Sequence, residues 1–285
     1  MTRSKNAPAP TDRPLHLFAT LWSLRQYPSK ARELSWEKKF ARVRAAGFQG
    51  VMSPPLPSLE ERGDLRYLAI TSLAETQKVA PALKAIQALK AFAFDVQLGD
   101  YDSKLEDMVK LAIYIRDMAK EIGLPFAIET HRNTFTETPE VTVALCRAYF
   151  EKTGETLPLC LDHSHFAVVR HLARDTFWEN LREPVELLAA ATQFHLRPFN
   201  GHHCQIPVLN NAGRRTPEYR DWLVYADSLF RYLKRQPTQT PVLAVPELGN
   251  AAPAYGLSCF SDTWKDVLTV QSDLRKLWSR AGRTP

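Results

Sequence analysis

Glycine is scarce in this chain. Only 11 of 285 residues are Gly, and no two of them stand in a G-x-G. That removes the dinucleotide-binding fingerprint. Neither a G-x-x-x-x-G-K-[ST] phosphate loop nor a G-x-S-x-G nucleophile elbow occurs. Cysteine is sparser still. Cys146, Cys160, Cys204 and Cys259 are widely spaced, with no C-x-x-C, and read as free thiols of a reducing compartment. No apolar run approaches the roughly 20 residues that a membrane span requires. The opening stretch MTRSKNAPAPTDRP has no apolar segment of the signal-peptide kind, so residues 1–13 read as a disordered tail. These absences together lead to the expectation of a cytoplasmic protein with no membrane partner.

What is present is ordinary globular composition: 45% hydrophobic and 24% charged residues. The formal net charge is +6. The Lys and Arg residues are spread along amphipathic stretches and interleaved with Glu and Asp. They read as solvated helix faces, which disfavours a nucleic-acid partner. A homo-oligomer stays open.

Short apolar runs alternate with longer amphipathic ones eight times. The runs LHLFATLWS, FQGVMSP, RYLAITS, AFAFDVQLG, PFAIETH, LPLCLDHSH, TQFHLRPF and PVLAVPELG read as strands. Between them lie helical patterns, the clearest being KLEDMVKLAIYIRDMAKEIG. Its apolar stripe is Leu105, Met108, Leu111, Ala112, Ile115 and Ala119. Ser35 and Gly47 bracket an early helix, a further one runs near 177–190, and SDTWKDVLTVQSDLRKLW closes the chain. Only a weak helical signal, SLEERG, follows the second strand. Eight βα units without a Rossmann fingerprint predict a single (β/α)8 TIM barrel over residues 14–285, of the α/β class. The irregular stretch 199–216 is long for a connection in a compact domain, which marks it as functional.

Such barrels keep their chemistry at the C-terminal strand ends. Here four consecutive strands end in potential metal ligands: Glu129, Asp162, His195 and Glu247. The spacings are 33, 33 and 52 residues. The first two match one βα unit each, and the third is a unit plus the long loop. Three carboxylates converging in one cup would repel one another, and a divalent cation removes that conflict. Three oxygen donors and one imidazole suit Mn²⁺ first, with Mg²⁺, Co²⁺ and Zn²⁺ also open. Residues two apart on a strand share a face, which groups His131 with Glu129, and Arg197 and Gln193 with His195. Arg197 is a candidate for binding a substrate anion or hydroxyl, or else a clamp on one of the carboxylates. Trp22 is a candidate wall for a sugar ring, or else core filler. By the same parity Arg132 points away, toward a structural ion pair, and His163 sits behind the site or at its rim. His202 and His203 read as surface residues of the long loop. Asp95 and Gln97 face inward without an assigned role.

The segments IETHRNTFTETPE, LCLDHSHF, QFHLRPF and VPELG, in this order, resemble the xylose-isomerase-like barrel superfamily, and within it the sugar phosphate isomerase/epimerase group. The resemblance runs from about Leu15 to Trp278. It implies metal ligation by Glu129, Asp162, His195 and Glu247, and substrate binding by His165. The activity so expected is isomerisation or epimerisation of a sugar, sugar acid or sugar phosphate. Glu129 and Glu247 would act as catalytic acid–base residues, abstracting a proton next to a metal-bound carbonyl through an enediolate. The alternatives are a metal-dependent dehydratase of a cyclic polyol or keto acid, an apurinic-site endonuclease, and a metal-free sugar-binding protein. The nuclease pattern needs His ligands from earlier strands, whereas the second to fourth strands here end in Ser53, Ser72 and Gln97.

Overall fold

Eight short parallel strands hydrogen-bond in sequence order and close into a barrel, β1-β2-β3-β4-β5-β6-β7-β8. The computed structural model describes residues 12–251 and 255–282. The strands are β1 (Leu15–Thr20), β2 (Gly50–Ser53), β3 (Arg66–Leu73), β4 (Ala93–Leu98), β5 (Phe126–Glu129), β6 (Leu159–Leu161), β7 (Ala191–His195) and β8 (Val242–Val245). The helices are α1 (Trp36–Ala45), α2 (Thr76–Ala88), α3 (Leu105–Glu121), α4 (Pro139–Thr153), α5 (His163–Val169), α6 (Phe177–Leu181), α7 (Val185–Ala190), α8 (Pro217–Lys234) and α9 (Thr263–Ala281). After β2 a 3-10 turn, Pro57–Arg62, replaces a full helix, in keeping with the weak helical signal there.

The apolar residues divide into two layers. Phe18, Met52, Leu68, Ala93, Leu243 and Val245 fill the inside of the barrel, with Trp22 and Ile70 packed against them. Alternate residues of the same strands point outward and join the helix stripes in a larger cluster. On α3 the stripe is buried from Met108 to Ala119 as expected, but Leu105 at the first turn is 36% exposed. Local signals set the helix ends. Thr138 caps α4, Pro139 occupies its first turn, and Gly154 ends it with φ +70°, a conformation that favours glycine. Ser35 does precede α1, but its side chain makes no capping hydrogen bond.

Several boundaries differ from the sequence pattern. The chain leaves β1 at Thr20 and makes a 3-10 turn over Leu21–Leu24. It leaves β5 at Glu129 and β6 at Leu161, where the ladder between these two strands has only two residue pairs. The segment 177–190 splits into α6 and α7 around Pro184, which cannot continue a helix.

The expected disordered tail falls mostly on residues outside the description. Within it, Arg13 is buried. Its Nε donates to Thr240 O at 2.6 Å, and its carbonyl accepts from Trp278 Nε1 at 3.2 Å. The long loop is also tied down. The backbone N–H groups of Val208 and Leu209 donate to the Asp266 carboxylate of α9, and Arg215 makes a two-pronged ion pair with Asp273.

Burial pushes the Asp266 carboxyl up to about 7, against the pull of those two N–H donors. A carboxyl raised on folding contributes stability below its unfolded value of about 4. That contribution is lost as pH rises toward 7 and is flat above. Melting temperatures of wild type and Asp266→Asn, followed from pH 4.5 to 7.5, should therefore converge or cross as the wild type loses this contribution. A constant offset would refute the assignment.

Candidate metal and active site

The polar residues in the stretch FAIETHRNTFTETPE are explained by a turn built from threonines. Thr136 Oγ1 donates to Glu129 O, and Thr134 Oγ1 donates to His131 O at 2.6 Å. Thr130 Oγ1 accepts from Asp162 N at 2.9 Å. These bonds fix the end of β5 against the end of β6, so Glu129 and Asp162 are held side by side. Asp162 serves twice. Its Oδ1 caps α5 by accepting from Ser164 N at 2.9 Å, while Oδ2 has no hydrogen bond and turns inward.

Glu129, Asp162, His195 and Glu247 are all buried, and their donor atoms lie within 4.8 Å of one another. His195 Nδ1 is 2.9 Å from Glu129 Oε1 and 3.0 Å from Glu247 Oε2. Adjacent corners of an octahedron with bonds of about 2.1 Å lie about 3.0 Å apart. Among the described residues Glu129 Oε2, Asp162 Oδ2, His195 Nδ1 and Glu247 Oε2 have no hydrogen-bond partner. Buried polar atoms are seldom left unpaired, so a cluster of such donors facing one another fits a divalent cation. The cluster could bind a metal.

Arg197 Nη2 reaches Asp162 Oδ2 at 3.3 Å and also pairs with Glu247 Oε1. This contact is the clamp reading. Among the described residues the Nε and Nη1 groups of the same guanidinium make no hydrogen bond, and the guanidinium lies 4.5 Å over the Tyr255 ring. Burial opposes ionisation of Asp162 and Glu247, but Arg197 outweighs it, aided by His165 at Asp162 and His195 at Glu247. Asp162 is held well below the ordinary carboxylate range and Glu247 at about 2. Burial likewise opposes protonation of His165, and the adjoining Asp162 raises it to about 9. Burial of His195 is outweighed by Cys160, Glu129, Glu247 and Asp95 around it, which raise it well above the ordinary imidazole value.

His131 reaches the cluster by a different route from strand parity. It lies past the end of β5, with its Nδ1 on Arg132 O at 2.6 Å and its ring centroid 4.3 Å from that of His165. Trp22 comes from the turn after β1 and is both wall and packing. It lines a cleft of about 230 Å³ with Arg25, Arg197, Gln205, Glu247 and Tyr255, and it touches the barrel interior. Gln193 does not come to this mouth. It is buried two residues below His195, donates to Phe94 O at 3.2 Å, and lines a larger apolar cleft of about 680 Å³ at the other end of the barrel. That cleft is the roomier of the two, but it lies away from the clustered carboxylates.

Of two flanking residues, one keeps its expected place and one differs. His163 is not at the rim but buried behind Asp162. It is the first residue of α5 and packs into the helix layer, with Nδ1 2.6 Å from Tyr225 OH, and burial lowers it to about 4. Arg132 makes no ion pair among the described residues; its guanidinium lies 4.4 Å over the Tyr255 ring, which Arg197 contacts at 4.5 Å. His202 and His203 are exposed, as expected, and donate to Asn200 through their backbone N–H groups.

Asp95, Cys160, Gln205 and Tyr255 gather at the site without having been singled out for it. Asp95 had a signal in the sequence, a carboxylate in the middle of AFAFDVQL. Cys160 and Tyr255 had none, since a buried thiol and an aromatic loop residue are commonplace. Gln97 is at the rim, where it accepts from Ser72 Oγ at 3.0 Å.

No family model matches the chain, and no curated protein sequence matches it. Solved structures do match. A D-tagatose 3-epimerase-like protein is 11% identical, with TM-score 0.59, over 93% of this chain and 99% of that one. The probable 3-DHS dehydratase of petrobactin synthesis from Bacillus anthracis is 16% identical, with TM-score 0.57, over 92% and 98%. A xylose isomerase-like TIM barrel protein from Mycobacterium smegmatis, in complex with magnesium, is 13% identical, with TM-score 0.54, over 95% and 98%. An endonuclease IV shares the fold as well. The chain therefore shares the (β/α)8 fold of these structures, whose names carry more than one activity.

Proposed function

We propose that this xylose isomerase-like barrel is a metal-dependent isomerase or epimerase of a sugar, sugar acid or sugar phosphate. The observation that carries the reading is the set of four buried, mutually facing donors at the ends of β5 to β8. Glu129, Asp162, His195 and Glu247 would hold one divalent ion, Mn²⁺ first, with Mg²⁺, Co²⁺ and Zn²⁺ as alternatives. Such an ion supplies positive charge that acidifies a C–H next to a substrate carbonyl.

The protein's own groups divide the remaining work. Glu129 Oε2 is unpartnered and takes the proton. Glu247, with Oε1 tied to Arg197, starts as the carboxylate, takes a proton from water in the cleft it lines and delivers it to the substrate, while Glu129 gives its proton back to solvent after turnover. Return to the opposite face of the same carbon is epimerisation. Return to the neighbouring carbon is aldose–ketose isomerisation. His165 Nε2 and the free Arg197 N–H groups hold substrate oxygens and stabilise developing charge. His131 and Trp22 border the substrate. A cytoplasmic setting and a small carbohydrate as the binding partner complete this reading. Among the described residues no helix is long and apolar enough to cross a membrane.

The dehydratase reading is favoured by one specific feature. A cationic His165, raised to about 9 beside Asp162, is a ready donor to a departing hydroxyl. Sugars and sugar acids offered in D₂O and followed by NMR separate the two. Deuterium at the carbon beside the carbonyl, without loss of water, supports isomerase or epimerase chemistry. Loss of water assigns the protein to the lyases, and no turnover of any sugar or sugar acid tried would remove the support for both.

Metal binding has its own readout. His195 must give up a proton to become a ligand, so binding should release protons and tighten as pH rises, up to tenfold per unit. Mn²⁺ at 100 times its Kd should add about 2.7 kcal/mol of stability. For a domain of this size that is roughly 5–10 °C in Tm. Calorimetry in buffers of different ionisation heat and melting curves with and without Mn²⁺ check both points. Melting that ignores every divalent ion tried would count against the site.

A further inference from the structure

Asp95 has no part in the chemistry above, yet it is fully buried in the middle of β4. Its Oδ2 lies 2.9 Å from His195 Nε2, a charge contact that is not aligned as a hydrogen bond among the described residues. The other ring nitrogen, Nδ1, faces Glu129 and Glu247. The imidazole is thus divided between two sets of carboxylates, one on each nitrogen. β4 and β7 are not neighbours in the barrel, so this contact crosses its interior. It is allowed because the intervening strands place small side chains in that layer. Ala127 is the register partner of Asp95 on β5, and Cys160 faces the same layer from β6.

We propose that Asp95 is a positioning residue for the metal centre. Its carboxylate accepts the Nε2–H of His195 and thereby fixes the ring with the Nδ1 lone pair aimed at Glu129, Asp162 and Glu247. A carboxylate behind a ligating imidazole selects the tautomer, fixes the ring plane and makes the ligating nitrogen more basic. Asp95 can take this part from within the apolar strand because His195 Nε2–H offers its charge a donor that its register partners Ile70 and Ala127 do not.

A rival arrangement uses the same atoms. Donor atoms of Asp95, Cys160 and His195 also lie within 4.8 Å of one another. A second cation there would need His195 to lose both ring protons and Cys160 to ionise in a buried site. The positioning role needs neither.

The inference rests on the proposed metal site, and its test keeps the two apart. Metal-free wild type, Asp95→Asn and Cys160→Ala are titrated with Mn²⁺ by calorimetry. The expected result is one ion per wild-type chain, binding ten- to a hundredfold weaker in Asp95→Asn, and near wild-type binding in Cys160→Ala. The Asn variant is nearly isosteric, so the barrel layer keeps its packing while the charge is removed. Wild type loaded with ¹¹³Cd²⁺ and labelled with ¹⁵N-histidine gives a second readout that needs no variant at Asp95. The metal should couple to His195 Nδ1 while Nε2 stays protonated. Wild type that binds no divalent ion overturns the metal site itself. Unchanged affinity in Asp95→Asn, or ¹¹³Cd coupling at Nε2, overturns the role of Asp95 alone. Two ions per chain, with one lost in Cys160→Ala, overturns it in favour of the rival.

Discussion

Glu129→Gln and Glu247→Gln should each abolish measurable turnover, by at least the roughly 10²–10⁴-fold that a positioned acid–base group contributes, while the barrel stays folded. Both side chains sit at strand ends within about 3 Å of one imidazole nitrogen. Both are therefore in place to act on a substrate held at the same point. The amide keeps the shape and one oxygen but can neither accept nor return a proton. The two variants should differ in one respect. Among the described residues Glu129 Oε2 makes neither a hydrogen bond nor an ion pair, whereas both oxygens of Glu247 lie against charged groups, Oε1 at Arg197 and Oε2 3.0 Å from His195 Nδ1. Glu129→Gln should therefore lose deuterium wash-in at the carbon beside the carbonyl, since no base starts the reaction. Glu247→Gln should retain slow exchange without net product. Circular dichroism confirms the fold, and NMR in D₂O reads the exchange. Near wild-type turnover in both variants would leave the two-carboxylate mechanism untenable.

Arg197→Met should destabilise the metal-free protein by about 3–5 kcal/mol, because it strands two buried carboxylates without their counter-charge. In a domain of this size that is roughly 6–20 °C in Tm. Arg197 is 2% exposed and touches both Asp162 and Glu247. The sign of the pH dependence follows. Carboxyls depressed on folding contribute stability above their unfolded value of about 4, and lose it as pH falls toward the folded value, about 2 for Glu247. The penalty of the Met variant should be largest at neutral pH and shrink in acid. Saturating Mn²⁺ should recover part of it, since a divalent ion neutralises the same carboxylates. Arg197→Lys, which keeps the charge but not the planar fork, should lie between. Melting of the three proteins from pH 3 to 8, with and without Mn²⁺, checks the set. A Met variant as stable as wild type at pH 7 would show that the clamp carries no energy.

The sequence alone determined the barrel and the composition of its candidate metal-binding cluster. Eight apolar runs recur with amphipathic helices between them, and that pattern has one natural closure. Glu129, Asp162, His195 and Glu247 each stand at the end of such a run, at intervals that match the βα repeat, so their convergence follows from the period of the fold. What tertiary structure decided depends on distances across the barrel, which no local spacing encodes. Strand parity stops where the ladder stops. His131 therefore meets His165 through a threonine-built turn, and His163 turns outward to Tyr225 once Asp162 starts a helix. Gln193 shares a face with His195 yet lies a layer too deep to reach the cleft, because each residue pair along a strand moves the side chain about 7 Å along its axis. Asp95 pairs with a histidine 100 positions later only because the small Ala127 and Cys160 leave the space between β4 and β7 open. The chain order of the four clustered donors follows from the repeat; which nitrogen, which oxygen and which counter-charge meet is set by side-chain volume in the closed barrel.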